Sequence, residues 1–338
     1  MNVFGAQDDD IAAISKLRDL PFMDLYVRID EMGKGISRYR SPGRDYSNNW
    51  SRTLPDQFRA ESHIIAEELL KNIENPDSSY VYDGMRFRQS YQRLANGQEW
   101  VILRRIASKV PSLDELSVAP HLATQLRRLG QRDGLILISG PTGHGKTTMC
   151  FSLLADYLKR LGGVAITVED PVEYALDGPV GDYGYCYQVQ VNNEEDWATP
   201  LKRALRWTPR YLLVGEVRSP RAAEQILRAA TTGHLVITTI HAGSVEESFM
   251  GLMHLAEQAI GGAANFMLAQ GLTAAWHQTL NATGPYLRYV FTEEHNNGDP
   301  VRSLIRENKV GMVNSYIDKQ AARMEVMRGV DPVTGKKI

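Results

Sequence analysis

The sequence of residues 140–147 is GPTGHGKT, which fits the phosphate-loop pattern G-x-x-x-x-G-K-[ST]. Glycine lets successive backbone N–H groups turn inward, and such a concavity binds anions. Lys146 would add a mobile positive charge for the β- and γ-phosphates of a nucleotide, and the hydroxyl of Thr147 would be a ligand for Mg²⁺. The residues expected to contact the phosphates are Gly140, Pro141, Thr142, Gly143, His144, Gly145, Lys146, Thr147 and Thr148.

The sequence on either side of the loop supports this interpretation. Residues 134–139, GLILIS, form a short apolar run with the length of a buried strand. After the loop, apolar residues recur at helical spacing up to Leu161, and Gly162-Gly163 ends the pattern. A strand, a glycine loop and a helix in this order direct the helix N-terminus at the phosphates.

Length and composition limit the classes of protein. The chain has 338 residues, 43% of them hydrophobic, and a net charge of −2, which favours two globular domains without a general basic field for nucleic acid. No apolar run approaches the roughly 20 residues of a membrane span. The start, MNVFGAQDDD, lacks the features of a signal peptide. Cys150 and Cys186 are too few for a disulfide framework, so we expect reduced thiols and a cytoplasmic protein.

The first 108 residues predict a small α+β domain. A helical apolar stripe spans 63–73, residues 33–49 resemble a loop in composition, and residues 109–120 are the expected linker. The predicted strands of this domain are 25–29, 79–82, 85–88 and 100–103.

Residues 121–338 predict a second domain in which strands alternate with helices, typical of a mostly parallel sheet covered by helices. Residues 244–247, SVEE, resemble a capping box, and the rest of the C-terminal part is predicted to be helical. The predicted strands are 135–139, 164–168, 211–214 and 235–240, and the predicted helices include 197–207 and 222–230.

Three further stretches carry groups suited to phosphate chemistry. TVEDPVE, residues 167–173, places three acids after a predicted strand, where one carboxylate could position water for attack on a γ-phosphate. YLLVGE, residues 211–216, is an apolar strand followed by an acid, the form of a Walker B motif. His234 and His241 flank the last predicted strand. By themselves they could be structural hydrogen-bonding groups or metal ligands, although no cysteine or carboxylate stands at ligand spacing.

Four stretches in this order resemble the secretion ATPase superfamily, and most of all its PilT-like members, the type IV pilus retraction motors. They are GPTGHGKTT, ITVEDPVEY, LLVGEVRSPRAAEQILRAATTGHLVITTIHA and VRSLIRENKV. They resemble the family's Walker A motif, aspartate box, Walker B motif and histidine box, and the last stretch lies late in the chain. The similarity extends from about residue 80 to about residue 317.

The resemblance implies a RecA-like P-loop ATPase domain, joined to a smaller N-terminal PAS-like domain, in a homohexamer that uses ATP and Mg²⁺. It implies that Glu173 is the catalytic base and that Glu216 is the Walker B acid, which together with Thr147 serves the Mg²⁺ ion. His234 and His241 would be the histidine-box pair that senses the nucleotide. MRFRQSYQRL and LRRIASKVPSLDEL match the stretch that donates arginines to a neighbouring subunit, with Arg88 and Arg104 as the best matches.

Departures from the family pattern separate this chain from ordinary pilus motors. Where the family has the sequence NQREV, this chain has YQVQV at 187–191, and where the family has EDPD, it has WTPR at 207–210. The four-cysteine zinc module of assembly ATPases is missing. In this respect the chain is more similar to the DotB/TraJ branch, which serves type IVB secretion and conjugal transfer. The resemblance therefore implies a hexameric ATPase bound peripherally at the cytoplasmic face of an inner-membrane secretion or pilus complex, without an integral membrane segment.

Other functions remain open at this point. The same chemistry would serve a type IV pilus retraction motor. A RecA-like DNA-processing ATPase would have a similar sheet, but no stripe of aromatic and basic residues stands out, so direct nucleic-acid binding is not expected. A nucleotide-gated scaffold would bind ATP without turnover.

Overall fold

The computed structural model describes residues 11, 13–40, 51–71, 77–107, 109–191, 197–281, 283–293 and 298–327. Within these, the chain divides into two compact units. One consists of residues 1–108 with residues 171–175, and the other of residues 109–170 with residues 176–338.

The N-terminal unit is built on an antiparallel sheet with the strand order β3-β2-β1-β6-β5-β4. One face of the sheet is buried with helix α1 (Arg59–Lys71) in a core that includes Leu25, Phe58 and Phe87. The strands are β1 (Asp24–Arg28), β2 (Ser37–Arg40), β3 (Ser51–Thr53), β4 (Asp77–Tyr82), β5 (Met85–Arg93) and β6 (Glu99–Arg105), with short 3-10 helices at Leu17–Asp19 and Asp56–Phe58.

The predicted loop at 33–49 is wrong in part. Ser37–Arg40 forms β2, because Ser37 and Tyr39 alternate with Arg38 and Arg40 between the buried and the exposed face. Residues 41–50, which include the rest of that predicted loop, lie outside the described residues.

The second unit contains a sheet with the order β14-β13-β7-β12-β11-β8-β10-β9. The five strands from β7 to β10 in this order are parallel, and β13 is parallel to β7. The strands are β7 (Gly134–Ser139), β8 (Gly163–Glu169), β9 (Gly178–Val180), β10 (Gly184–Gln190), β11 (Tyr211–Val214), β12 (Leu235–Ile240), β13 (Leu272–Asn281) and β14 (Gly284–Phe291).

Helices accompany this sheet, and the core residues between them are almost fully buried. The helices are α2 (Pro120–Leu129), α3 (Lys146–Leu161), α4 (Ala198–Leu205), α5 (Pro220–Thr231), α6 (Val245–Ile260), α7 (Ala263–Gly271), α8 (Pro300–Arg306) and α9 (Asn314–Met327), with a 3-10 helix at Val310–Met312. The predicted α/β class is confirmed.

The predicted cap of α6 is present in a slightly shifted form. Ser244 accepts a hydrogen bond from Glu247 N at 3.1 Å, and the Glu247 carboxylate accepts one from Gly243 N at 2.7 Å, one residue before the cap.

The prediction that the chain beyond this cap is helical is wrong for residues 272–281 and 284–291, which form the antiparallel strands β13 and β14. In β13, residues Leu272–Trp276 are buried on both faces, so the alternation that marks a half-buried strand is missing. Strands β9 and β10 were not predicted either.

Candidate functional site

The phosphate loop connects β7 to α3 at the carboxyl edge of the sheet. Gly143 and Gly145 have φ angles of 79° and 76°, in the left-handed region that favours glycine, and Gly145 is the residue that precedes α3. The first N–H groups of α3 have no carbonyl partner within the helix, so they are available to an anion. The loop has the backbone shape that its sequence predicts.

Lys146, the first residue of α3, folds back over this loop. Its Nζ donates hydrogen bonds to Gly140 O at 2.7 Å and to Pro141 O at 3.0 Å, and the residue is 8% exposed. The carbonyl groups thus hold the ammonium group at the loop, where phosphate oxygens would be its natural partners.

Glu216 lies two residues after β11, at the same edge of the sheet. Its Oε1 is 3.2 Å from His241 Nε2, and its Oε2 is 3.0 Å from Arg218 Nη2. His241 is the first residue after β12, so the predicted Walker B acid and one predicted histidine of the histidine box are in direct contact.

Backbone contacts fix the ends of three neighbouring strands around Glu216. Gly215 N donates to Val168 O at 2.9 Å, Val217 N donates to Thr239 O at 3.0 Å, and the Thr239 hydroxyl donates to Gly215 O at 2.7 Å. The carboxylate is therefore positioned by the sheet rather than by a free loop.

His234 lies at the other end of β12 from His241. Its Nδ1 is 2.7 Å from Pro209 O, so this nitrogen carries the proton and donates it to the carbonyl. The six residues of β12 separate the two histidines by roughly 20 Å. The structure therefore brings His241, and not His234, to the edge with the phosphate loop.

The acids of the predicted aspartate box have different surroundings. Glu169 is 2% exposed, and its Oε1 accepts hydrogen bonds from the Thr167 hydroxyl at 2.5 Å and from Gln188 Nε2 at 3.0 Å. Glu173 is exposed and belongs to the N-terminal compact unit, in the segment 171–175. These contacts give the carboxylate of Glu169 a structural role.

The two predicted arginines lie on the outer face of the N-terminal sheet. Arg88 on β5 is directly opposite Arg104 on β6, and Arg104 is opposite Asp24 on β1. Asp24 is fully buried and forms ion pairs with Arg104 Nε at 2.9 Å and with Arg40. The hydrogen bond with Asp24 raises the pKa of Arg104.

The sequence did not single out two residues of β13 beside the phosphate loop. His277 Nδ1 is 3.3 Å from Ser139 Oγ, and Gln278 Nε2 donates to His144 O at 2.8 Å. Burial lowers the pKa of His277; the nearby Glu247 opposes this shift, whereas Lys146 and His144 add to it. Recognising residues 272–281 as a strand next to β7 would have revealed both.

The donor atoms at this edge fit a nucleotide with its Mg²⁺ ion. Thr147 and Glu216 supply hard oxygen atoms, and Mg²⁺ commonly takes one or two such protein ligands with phosphates and water. Within the part of the chain that the structure describes, no group of three or more His, Cys, Asp or Glu side chains could hold a metal ion by itself.

Comparison with known proteins agrees with this geometry. Residues 80–321 match the family model described as type II/IV secretion system protein. The chain belongs to this family. The match covers the phosphate loop, both acidic stretches and both histidines, together with β5 and β6 of the N-terminal unit.

One curated relative is the twitching motility protein of Neisseria gonorrhoeae. It is 30% identical over 265 residues, which cover 76% of this chain and 68% of that protein. Over the next three curated relatives the match spans less than half of their own length, from 30% to 43%.

Two solved structures share the fold of this chain. The pilus retraction motor PilT with bound ADP superposes with a TM-score of 0.69 at 26% identity, over 92% of this chain and 90% of that chain. The ATPase DotB of Legionella pneumophila gives 0.68 at 19% identity, over 93% and 90%, which supports the fold alone. The RecA-like P-loop fold is thus confirmed for this chain. None of the helices in the described residues has both the length and the apolarity that crossing a membrane requires.

Proposed function

We propose that this protein is a Mg²⁺-dependent ATPase that converts ATP and water to ADP and phosphate. The observation that carries the proposal is the position of the phosphate loop with Lys146 and of the Glu216–His241 contact at one edge of the sheet. In open α/β sheets this carboxyl edge is where ligands bind.

Each group has a role that its surroundings support. Lys146 and the loop N–H groups bind the phosphates, while Thr147 and Glu216 would hold the metal ion, which would neutralise phosphate charge when bound. Glu173 is the base that accepts the proton of the attacking water; it is exposed to solvent, whereas Glu169 is buried and accepts hydrogen bonds from Thr167 and Gln188. His241 reports the state of the site through its contact with Glu216, and His234 would act only through β12.

We further propose that the chain assembles as a homohexamer in which Arg88 or Arg104 completes the site of a neighbouring subunit. Phosphoryl transfer spreads negative charge over the equatorial oxygens, and an arginine from another subunit can stabilise it. The ring would act from the cytoplasm, peripherally at an inner-membrane complex, with an N-terminal domain of PAS type at residues 1–108, a linker at 109–120 and the ATPase domain at 121–338.

The machine proposed is a type IVB secretion or conjugal transfer apparatus. The two stretches that depart from the pilus-motor pattern, 187–191 and 207–210, meet in the structure, where Tyr187 and Trp207 pack edge to face with ring centroids 5.2 Å apart. A type IV pilus retraction motor is the second candidate, favoured by the 30% identity with the twitching motility protein.

Phosphate release by the purified protein with ATP and Mg²⁺ tests the enzymatic proposal. Lys146→Ala should weaken nucleotide binding and abolish turnover, whereas Lys159→Ala, an exposed lysine of the same helix, should do neither. ATP binding without phosphate release by the unaltered protein would instead indicate a nucleotide-gated scaffold. Hydrolysis that requires DNA and falls steeply with salt would indicate a DNA-processing ATPase.

The choice of machine is tested in the host cell with the Lys146→Ala allele. A loss of conjugal transfer or protein secretion with normal twitching supports the type IVB assignment. A loss of twitching with normal transfer supports the pilus motor. Among the flanking genes, a conjugation or secretion cluster would support the type IVB assignment, and pilin genes would support the pilus motor.

A further inference from the structure

Strand β13 runs past the end of its neighbour β7. The pairing of the two strands ends at His277 opposite Ser139, but β13 continues to Asn281. Since the strands are parallel, this extension lies beside the phosphate loop that follows β7. Two groups of the extension bind one loop residue: Gln278 Nε2 donates to His144 O at 2.8 Å, and Leu280 N donates to His144 Nδ1 at 3.0 Å.

The contact with His144 O has a consequence for the next N–H group. In a trans peptide the C=O of one residue and the N–H of the next point in opposite directions within one plane. Fixing the His144 carbonyl toward β13 therefore turns the N–H of Gly145 away from β13. The peptide between His144 and Gly145 is held in this orientation while Gly145 has the left-handed conformation, with a φ angle of 76°.

The loop also approaches the β13 backbone too closely for a side chain at its first position. A Cβ atom on Gly140 would lie 2.2 Å from Gln278 O. Since the Leu280 N–H donates to Nδ1 of His144, that ring nitrogen carries no proton and the neutral ring has its proton on Nε2. The β13 backbone, the Gln278 side chain and the His144 ring thus all make contacts within residues 140–144 of the loop.

The amide orientation of Gln278 is fixed by chemistry, because a carbonyl oxygen accepts hydrogen bonds and only the Nε2 end can face it. Gln278 is 2% exposed, and its Oε1 is buried without a hydrogen-bond partner among the described residues. A buried acceptor without a donor is unfavourable, and an apolar side chain would avoid that cost. The contribution of this glutamine is accordingly its donor group toward the loop.

We propose that Gln278, assisted by Leu280 N, is a positioning residue that holds the phosphate loop in its phosphate-binding shape. This inference rests on the proposed nucleotide binding by the loop, and it adds a residue of the C-terminal hairpin to that site. Gln278 touches neither phosphate nor metal in this proposal. It acts through the His144–Gly145 peptide.

The test compares Gln278→Met with Gln320→Met. Methionine keeps the length and packing of glutamine but cannot donate. Gln320 is the matched control, because its side chain binds the backbone of Phe291 in the same hairpin, at 2.7 and 2.9 Å, without contacting the loop.

Gln278→Met should weaken the binding of a fluorescent ADP analogue about fivefold, the effect of losing one net hydrogen bond. The KM for ATP should rise with kcat nearly unchanged, as expected when binding is lost equally from ground and transition states. Hydrogen exchange of residues 140–148 without nucleotide should become faster. Gln320→Met should change none of these. His144→Ala, which removes only the contact with Leu280, should give a smaller change in the same direction.

Equal ADP binding and equal loop exchange in Gln278→Met and Gln320→Met would overturn the proposal. If Gln278→Met does not fold, Gln278→Leu, which also lacks the donor, decides: unchanged binding and exchange in that variant overturn the proposal as well. If the unaltered protein does not bind nucleotide, the proposed function fails, while the exchange of residues 140–148 still decides whether Gln278 holds the loop.

Discussion

Arg88 and Arg104 face each other directly across strands β5 and β6. Like charges in opposite positions of an antiparallel pair repel. Arg104 is compensated by the buried carboxylate of Asp24, whereas Arg88 forms no ion pair within the described part of the chain. The pair thus combines one arginine that is fixed by the sheet with one that is available to an outside anion.

We therefore predict that Arg88 is the arginine that acts on a neighbouring subunit. Arg88→Ala should lower hydrolysis by roughly 10³–10⁵-fold, the range known for such arginines. Arg86→Ala is the matched control, since Arg86 is exposed on the same face of β5. Mixing Arg88→Ala protein with Glu173→Gln protein should restore part of the activity. If verified mixed rings show no rescue, Arg88 does not act in trans.

Arg104→Ala should show a different defect, because it removes a partner of the fully buried Asp24 carboxylate. Removing one partner of a buried ion pair commonly lowers the free energy of unfolding by about 3–5 kcal/mol. The loss should be smaller here, because Arg40 remains as a partner of Asp24 and Arg104 is partly exposed. We expect a lower thermal unfolding temperature for Arg104→Ala than for Arg88→Ala. Equal unfolding temperatures would contradict the structural role of Arg104.

The buried position of Glu169 gives a prediction about the catalytic base. Glu173→Gln should retain ATP binding and lose hydrolysis by about 10²–10⁴-fold, the usual weight of general-base catalysis. Glu169→Gln should mainly lower stability, because its carboxylate accepts two hydrogen bonds within the fold. Normal hydrolysis in Glu173→Gln together with an inactive, stable Glu169→Gln would move the base to Glu169.

The oxygen donors of the site predict a metal ion that arrives with the nucleotide. EDTA should stop phosphate release without changing the thermal unfolding temperature, and elemental analysis of the purified protein should find no stoichiometric zinc. His234 and His241 are at opposite ends of β12 and cannot share an ion within one chain. Stoichiometric zinc in the unaltered protein that disappears when both histidines are changed to alanine would contradict this prediction.

The close approach of Gly140 to β13 predicts an unusually sensitive position. Gly140→Ala should lower stability by at least about 2 kcal/mol, because the new methyl group meets the Gln278 carbonyl and the backbone φ of 145° is strained for alanine. Gly143→Ala should cost about 1 kcal/mol, since its Cβ would meet nothing within 4 Å and only the left-handed conformation is unfavourable. Thermal unfolding of the two variants measures the difference, and equal losses would argue against the contact.

His277 predicts a pH dependence of stability. Its pKa is lowered by burial from 6.5, so the unfolded chain binds the proton more tightly than the folded one. Its contribution is therefore present above about pH 6.5 and is lost as the pH falls through the folded-state pKa. Denaturant titrations from about pH 7 to about pH 5 should show a shallower loss for His277→Gln than for the unaltered protein. His254→Gln, an exposed histidine of α6, is the control and should follow the unaltered protein.

Local sequence predicted the part of the fold that local physics dictates. The glycines of the phosphate loop impose its shape, and the apolar runs before it and at 211–214 and 235–240 form strands as expected. Arg86 and Arg88 are exposed on one face of β5, as the alternation of side chains along a strand requires.

Contacts between distant parts of the chain could not be predicted in this way. Gln278 and His144 are 134 residues apart, and β13 shows no alternation because both of its faces are covered near its start. Half of the ten residues of β13 are Leu, Ala or Gln, which favour a helix in isolation, and pairing with β7 holds the segment as a strand. The predicted roles of Glu173 and of the arginines remain predictions.

The chain has five tryptophans, and the intrinsic fluorescence of one of them, Trp276, reports on this hairpin. Trp276, two residues before Gln278, is fully buried, whereas Trp207 is 59% exposed. A small quencher in solution should reach Trp207 first and leave the blue-shifted emission of the buried tryptophans Trp197 and Trp276. In a chain that keeps Trp276 as its single tryptophan, a red shift of the emission when nucleotide is added would show, without a label, that the strand beside the phosphate loop has moved.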